Sequence, residues 1–410
     1  GGSGMQKALL SKMAILVLVL SLMISSIAFA QENSDNEVLS LSVEDAVKIA
    51  EENNQQIKLS QLALQKAQLA RKEFNYQSKK VGSALDLWDS LTPEQKSMLI
   101  SQTPTLYSEI TSLSGFSTSS ALELGEKEIN VGVDLAKRGI EVAIKGVEYG
   151  IESAYYGALL AKENVAIAQA AVDRQQEMLR IAEAKYKAGT VAKTEVLNAQ
   201  VQLTKAEGDL SKAKSSEEKA YITLKKLLGL PLDKNINLTD SFKESPENLD
   251  VTLDELIEQA NSNRIDIVSA EGAFEIAKLD FELSSKAYPS NTFTYAEKEY
   301  AMEEAQLKLS NTKSSAEAEI RNTWLDFEDA KTNIPVLDKS LEVAQESLRI
   351  AKLSYEAGLV RSVDVTAAED GLKQVQLQRL SAIYNYNLAR LKLENSVYFS
   401  TAGTASSSSM

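Results

Sequence analysis

The side chains that could do chemistry in this chain are carboxylates and amines. The 410 residues include 58 Asp and Glu and 44 Lys and Arg, but no histidine and no cysteine. Catalytic triads, histidine-assisted nucleophiles, disulfides and most zinc sites are therefore excluded. Carboxylate-only catalysis stays open in principle, although so many acidic residues make chance pairs abundant. We predict no enzyme, no cofactor and no metal site, and the net charge of −14 argues against a nucleic-acid partner.

One stretch of sequence occurs twice, 169 residues apart. Residues 180–191 read RIAEAKYKAGTV, and residues 349–360 read RIAKLSYEAGLV. A second correspondence, at 210 residues, pairs residues 42–53 with residues 252–263. Because the two offsets differ by 41, the first repeat must carry an insert of about that length, near residues 80–123. Such a duplication fixes the architecture before any local prediction does.

Apolar residues recur in alternating steps of three and four on both sides of each Ala-Gly turn. The pattern covers residues 165–189 and 334–358, and it resumes at Val196 and Val365. This period is typical of left-handed coiled coils, and glycine is common where a helix ends. The sequence therefore predicts an all-α fold of long antiparallel coiled-coil hairpins in two tandem repeats.

The ends of the chain and its connections predict the remaining organisation. Lys7 and Lys12, an apolar run and Ala28-Phe-Ala30 have the order of a secretory signal peptide. We expect an exported protein of the cell envelope. The predicted segments are residues 1–4 as an expression remnant, 5–30 as the signal peptide, 38–228 as repeat one, 229–250 as a linker, 251–399 as repeat two and 400–410 as a disordered tail.

Four glycines lie seven residues apart in the first repeat: Gly125, Gly132, Gly139 and Gly146. Each glycine inside a helix is about 1 kcal/mol less favourable than alanine, so some other interaction must offset this. We predict close packing against another helix. A narrow stripe facing a lumen is the alternative.

The order of these features resembles the TolC-like outer-membrane efflux protein family over about residues 39–399. The resemblance rests on the paired opening helices, on the Tyr-x-Ala-Gly hairpins, and on the acidic residue and valine after each turn. It implies a homotrimer whose six hairpins build a twelve-helix tunnel. It also implies that the turns meet a periplasmic adaptor, which couples the tunnel to an inner-membrane pump.

The sequence departs from this family where a membrane barrel would be inserted. A membrane strand needs about 9–11 residues, and the gap at residues 286–296 is too short for two of them. In the other repeat, Thr92-Pro93-Glu94 is typical of a helix start. We therefore predict a helical insert and little or no β-barrel.

The resemblance also assigns roles at the turns. It places Asp364, with Glu195 as its counterpart, at the closing constriction of the tunnel. Three copies of each would form an acidic ring that attracts cations, whereas the alternative is an ordinary acidic helix start. Arg361 could pair with Glu195 of a neighbouring hairpin as a latch. The hairpin turns themselves comprise Tyr186, Ala188, Gly189, Tyr355, Ala357 and Gly358.

Two hypotheses for function follow. The first is a trimeric conduit for efflux or secretion, and the second is a structural or assembly protein of the envelope built on the same scaffold. The second would assemble through the insert at residues 80–123. There, an apolar group could contact a membrane, cap the tunnel or be buried among the insert's own helices: Leu85, Leu87, Trp88 and Leu91.

Overall fold

Helix dominates the part of the chain that the computed structural model describes, namely residues 38–103, 105, 108, 112, 116–242 and 249–401. The first repeat contains β1 (Leu39–Leu41), α1 (Val43–Asn53), α2 (Gln55–Ser90), α3 (Pro93–Gln102), α4 (Phe116–Lys187) and α5 (Lys193–Leu228). The strand β2 (Ile236–Leu238) lies between the repeats, and the second repeat contains α6 (Leu253–Asn263), α7 (Ile265–Ala287), α8 (Phe293–Glu356) and α9 (Ser362–Asn395). The predicted all-α class is confirmed. The predicted signal peptide and remnant lie outside the described residues.

Both repeats begin with the same capping chemistry. The Ser42 hydroxyl accepts the backbone N–H of Asp45, whose carboxylate accepts the backbone N–H of Ser42 in return. Thr252 and Glu255 form the equivalent pair at the start of α6. These reciprocal bonds satisfy N–H groups that the first helical turn leaves without partners. The strands add a parallel pairing of Leu39 with Ile236, which ties the start of repeat one to the connection between repeats.

Two long helices run through both halves of the molecule. α4 has 72 residues and α8 has 64, so they are about 108 and 96 Å long. α8 continues through Pro335, which lies inside the helix. In the half that contains the turns, the helices pack in the order α5, α4, α9, α8; in the other half the order is α2, α4, α7, α8. Thus α8 is one outer edge throughout, and α5 and α2 share the other.

Two apolar clusters hold the helices together. The larger packs β1, β2, α1 and α6 against the middle of the long helices, around the buried rings of Tyr155, Phe327 and Tyr386. The Tyr155 hydroxyl donates to the Leu41 carbonyl at 2.9 Å. The smaller cluster lies towards the turns and joins Met178 of α4 to Leu372 of α9.

The insert extends the helices of repeat one. α2 has 36 residues where its counterpart α7 has 23, and it continues unbroken past Lys80. The predicted helix start at Thr92 is present: α3 begins at Pro93, and Thr92 forms a capping box with Gln95. None of the residues of α3 is buried. The insert is therefore an elongation of the α2–α4 pair with a short helix at its end.

The predicted disordered tail needs a correction at its first two residues. Ser400 and Thr401 are packed against α8, where the backbone N–H of Thr401 donates to the Glu319 carboxylate at 2.7 Å. Thr401 is only 3% exposed. Composition missed this because the contact is made by backbone and hydroxyl groups, which need no apolar residues. The rest of the predicted tail lies outside the described residues.

Candidate functional site at the Ala-Gly turns

Each Ala-Gly turn ends a long helix in the same way. Gly189 and Gly358 have φ of 74° and 78°, a left-handed conformation that strongly favours glycine. The backbone N–H of Thr190 donates to the Lys185 carbonyl at 3.0 Å, and that of Leu359 donates to the Ser354 carbonyl at 2.8 Å. This six-residue closure satisfies carbonyls at the helix end and fixes the exit direction. The repeat therefore places the two turns alike.

The two turn tyrosines have different surroundings, although their sequence positions are equivalent. Tyr355 is 3% exposed, and Tyr186 is 44% exposed. The Lys185 ammonium lies 3.9 Å from the Tyr355 ring centroid and donates to the Tyr355 carbonyl. Burial, followed by the charge of Glu195, raises the pKa of Tyr355. Hairpin one thus covers the turn tyrosine of hairpin two, whereas Tyr186 is exposed, with the Lys193 ammonium of its own hairpin 5.3 Å from its ring centroid.

The two predicted constriction acids also differ. The Ser362 hydroxyl donates to the Glu195 carboxylate and so joins the two turns within one chain. Asp364 is exposed, and its carboxylate accepts the backbone N–H of Arg361 at 3.0 Å. That bond is typical of an acid at a helix start. Arg361 forms no ion pair with a carboxylate of the described chain, so its pairing with Glu195 of another copy stays a prediction.

A cavity of about 510 Å³ separates the turns. Its lining includes polar groups from both hairpins, among them Lys185, Thr190, Glu195, Tyr355, Arg361 and Ser362. The Tyr355 hydroxyl is buried and has no hydrogen-bond partner among the described residues. The structure therefore brings together residues of both turns that the sequence placed 169 positions apart.

Sequence reasoning missed a buried charge network above the turns, where α4, α5, α8 and α9 meet. Glu369 is 4% exposed, accepts a hydrogen bond from Gln175 and lies 3.4 Å from the Lys352 ammonium. Burial raises the pKa of Glu369, and the Lys352 charge opposes this effect. Nearby, Lys373 of α9 and Asp209 of α5 form an ion pair of 2.6 Å. The only signal in the sequence was that Glu369 directly follows Ala368, an apolar position of the heptad pattern.

Of the four glycines predicted to pack closely, Gly125 contacts another helix of the same chain. A Cβ atom on Gly125 would lie 2.9 Å from the Phe74 ring, so α2 packs closely there. At Gly132, Gly139 and Gly146 an added Cβ would meet no atom of another described helix within 4 Å. For those three, close packing against another helix stays a prediction that a second copy would have to satisfy, and a stripe facing a lumen stays the alternative.

The apolar residues of the insert are only partly covered. Leu87 is 66% exposed, while Leu85, Trp88 and Leu91 are half-buried. The Lys96 ammonium of α3 lies 5.5 Å from the Trp88 ring centroid. Contact of this group with a membrane or with another copy stays a prediction. No described helix has an apolar run suitable for crossing a bilayer, and no described group of acidic residues is arranged to hold a metal ion.

Comparisons with known proteins agree with the predicted resemblance. Residues 148–230, which run from the middle of α4 to just past the end of α5, match the sequence model of the family described as outer membrane efflux protein. No curated protein sequence matches the chain.

Solved structures match over nearly the whole fold. A membrane protein from Pseudomonas aeruginosa has 13% identity and a TM-score of 0.64, covering 88% of this chain and 91% of its own. CusC, described in work on folding and transmembrane channel formation, has 14% identity and a TM-score of 0.63, covering 90% and 95%. The Campylobacter jejuni CmeC outer membrane channel has 14% identity and a TM-score of 0.61, covering 87% and 85%. At these identities the likeness shows the fold, and it confirms the TolC-like architecture.

Proposed function

We propose that this chain, with the fold of TolC-like efflux proteins and a family match in its first hairpin, is one protomer of a closed trimeric tunnel. The tunnel serves as an efflux or secretion conduit in the cell envelope. Its turns meet a periplasmic adaptor that couples it to an inner-membrane pump. The support comes from the outer edges of the chain and from their relation through the internal repeat.

The repeat predicts which residues of neighbouring copies face each other. It relates α4 to α8 at an offset of 169 residues, and α2 to α7 at an offset of 210. Within the chain, α4 contacts α7 at Val131 and Gly272, where an added Cβ on Gly272 would lie 3.7 Å from the Val131 Cβ. Applying the same offsets places Tyr300 of α8 opposite Leu62 of α2 in the next copy. Both are exposed, at 66% and 45%, although both are apolar.

The half near the turns has matching edges. α8 exposes Val336, Val343 and Ile350 at intervals of seven, and α5 exposes Leu197 and Val201. Each Å² of apolar surface buried contributes about 25 cal/mol to association, so pairing these stripes favours ring closure. In this pairing a hairpin of the next copy would cover Tyr186, as hairpin one covers Tyr355 within the chain. The observation that carries the proposal is that both edges are apolar and are equivalent, through the repeat, to contacts inside the chain.

A closed ring would bring the turn residues of all copies together. Three copies of Glu195 and three of Asp364 would then surround the narrow end, which favours cations there. The number three comes from the resemblance, since two hairpins per chain then give the six hairpins of that family.

Cysteine cross-linking tests the ring directly because the natural chain has no cysteine. Leu62→Cys and Tyr300→Cys lie on opposite edges of one chain, so a disulfide between them joins two copies. We expect oxidised protein to run as a covalent trimer on non-reducing gels and to return to monomer on reduction.

The matched control is Val131→Cys with Gly272→Cys. The Cβ separation of 3.7 Å at these positions suits a disulfide, and the bond forms within one chain. The control should stay monomeric on the gel. Monomers from the edge pair would reject the ring, whereas a ladder extending beyond trimer would reject closure and favour an open assembly.

The second candidate is an envelope scaffold that assembles without conducting. The observation in its favour is that only one repeat carries the insert, whose Leu87 and Met98 are 66% and 62% exposed. In that case assembly depends on the insert rather than on the two edges.

A further inference from the structure

A cavity of about 530 Å³ lies away from the turns and away from both outer edges of the chain. We call it the lateral cavity. Its walls are α4, α9 and two segments that flank the strands, residues 42–44 and 240–242. α4 and α9 are the two inner helices of the four in this chain, so ring closure through α5, α2 and α8 does not require this surface. The volume is in the range that small-molecule sites occupy.

Hydrogen bonds hold the walls of the lateral cavity in place. The backbone N–H of Val43 donates to the Asp240 carboxylate at 2.7 Å, and the backbone N–H of Thr239 donates to the Leu41 carbonyl at 3.0 Å. Phe242, which follows, stacks on Tyr156 of α4 with ring centroids 6.1 Å apart and planes 25° apart. The aromatic wall is therefore fixed by the strand pair rather than by a free loop.

Among the described residues that line the cavity, one half-buried carboxylate has no partner. Asp240 accepts the Val43 N–H, and Glu394 forms an ion pair of 2.9 Å with Arg390. Glu152 lies one turn before Tyr156 on α4 and makes no hydrogen bond or ion pair with any residue that the structure describes. This half-buried carboxylate beside an aromatic pair has no described cation at ion-pair distance, and the more distant charges of Lys145 and Arg390 compensate it only in part.

Asn387 adds a second, independent polar group. Its side chain is among the buried ones at 8% exposure, and it lines the same cavity. Its amide Nδ2 donates to the Ile383 carbonyl at 2.7 Å, which leaves the amide oxygen as an acceptor. A ligand that donates hydrogen bonds and carries positive charge would satisfy both Asn387 and Glu152.

The internal repeat shows that the helix pair does not need these residues. The positions equivalent to Glu152, Tyr156 and Asn387 in the other repeat are Arg321, Leu325 and Glu218. The same helical scaffold is thus built with a cation at the place of Glu152 and with no aromatic ring at the place of Tyr156. The acid, the ring and the amide belong to this one cavity.

We infer that the lateral cavity binds a small organic ammonium ion, with Glu152 as its counter-ion, the Tyr156–Phe242 pair against its apolar part and Asn387 as a hydrogen-bond acceptor. Carboxylate plus aromatic face is the arrangement that recognises organic amines. The cavity lies within one chain, so binding does not require the proposed ring.

Proton competition gives the site a characteristic dependence on pH. Burial, followed by the charges of Glu394 and Glu148, raises the pKa of Glu152 to about 7. The charged groups that face it are Glu148 and Lys145 on α4, Glu394 and Arg390 on α9, and Asp240 and Glu44 on the flanking segments. Glu152 is ionised at pH 8.5 and mostly protonated at pH 5.5, so affinity for a cation should fall by at least about tenfold between them.

Titration calorimetry of the purified chain with phenethylammonium chloride tests the inference. At pH 8.5 we expect binding at about 1 mM or tighter. The neutral isostere 2-phenylethanol should bind at least about tenfold more weakly, because only the ammonium ion compensates the carboxylate. Tyr156→Phe should keep the affinity, whereas Tyr156→Leu, which installs the residue of the other repeat, should lose most of it.

The decisive variant is Glu152→Gln, with Glu141→Gln as its control. Glu141 is an exposed acid of the same helix outside the cavity. We expect Glu152→Gln to lose at least about tenfold in affinity and to abolish its pH dependence, while Glu141→Gln binds normally. Helical circular dichroism establishes that each variant is folded. Absence of binding by the folded natural chain, equal binding of the neutral isostere, or unchanged binding by Glu152→Gln would each overturn the assignment.

Discussion

The buried guanidinium of Arg264 connects three parts of the fold through hydrogen bonds and ion pairs. Arg264 is 2% exposed and stands at the start of α7, where repeat one has the capping residue Asn54. It forms ion pairs with Asp266 and Glu319, and it donates to the Ser396 carbonyl at 3.2 Å. Burial acts to raise the pKa of Glu319, but hydrogen bonds from Arg264, Thr401 and Ser400 hold it below its usual value. One side chain therefore joins α7, α8 and the C-terminal segment.

Removing this guanidinium should be strongly destabilising. Arg264→Ala leaves the Glu319 carboxylate half-buried without its main counter-charge, and we expect a loss of about 3–5 kcal/mol in the free energy of unfolding. Arg321→Ala is the control, because its ion pair with Glu317 is exposed, and it should lose less than about 1 kcal/mol. Denaturant unfolding followed by circular dichroism compares the two. Equal effects would show that the Arg264 network contributes little.

Removing the charge of Glu369 should have the opposite effect and should stabilise the folded chain. Its pKa is raised by burial, so the folded state binds the proton more tightly than the unfolded state. The stabilisation associated with that proton is present below the unfolded pKa of about 4.3 and is lost as the pH rises through the folded pKa. Glu369→Gln mimics the protonated form. We expect its Tm to exceed that of the natural chain by ~2–4 °C at pH 8, with the difference closing near pH 4.

A matched variant separates this effect from a general loss of charge. Glu342→Gln removes an exposed acid of α8 whose ion pair with Lys339 is solvated. It should leave the Tm nearly unchanged at both values of pH. If Glu369→Gln were less stable than the natural chain at pH 8, the ion pair with Lys352 would outweigh the burial of the carboxylate.

At the scale of elements, the glycines of the turns and of the α4 stripe should respond in opposite directions. Gly358→Ala forces a side chain into the left-handed region and should destabilise hairpin two by about 1–2 kcal/mol. Gly132→Ala is a change of the same size inside a helix, with open space within 4 Å, and should stabilise the isolated chain by up to about 1 kcal/mol. Thermal unfolding of the monomer gives both values.

The stripe can then be tested for a role between copies. If Gly132, Gly139 and Gly146 allow a second copy to approach, replacing all three by alanine should weaken assembly while raising monomer stability. Light scattering over a range of concentrations measures the assembly. An unchanged association constant would remove these glycines from the interface.

The helices and turns could be predicted from the sequence because their causes are local. The heptad steps, the Ser42 and Thr252 caps, and the glycines at 189 and 358 each act within a few residues. The surroundings of Tyr186 and Tyr355 could not be predicted from the sequence. The two positions are equivalent in the repeat, but each is covered or exposed according to which helix lies beside it. Arg264 and Glu369 were missed for a related reason: Glu319, which pairs with Arg264, lies 55 residues away, and Gln175, which donates to Glu369, lies 194 residues away. Periodicity identifies a buried face but not the polar partner that meets it.

For the whole molecule, the conduit and the scaffold differ in what holds the copies together. The conduit is closed by α8 against α2 and α5, and these edges run along both halves of the chain. The scaffold is joined through the insert at one end. Repeat two offers a natural model of the insert-free connection, since α7 and α8 are joined by only residues 288–292. The internal repeat therefore supplies a replacement of the correct length.

Replacing residues 78–123 by Tyr-Pro-Ser-Asn-Thr, the sequence of residues 288–292, makes repeat one resemble repeat two at this end. The change keeps Phe74, Gly125 and the edge residue Leu62. We expect the shortened chain to fold with its helical hairpins intact and to give the same number of copies per particle by light scattering. The Leu62→Cys, Tyr300→Cys pair placed in this background should still form the covalent trimer. A folded but monomeric shortened chain would show instead that the insert carries the assembly, because both apolar edges would then be present and insufficient.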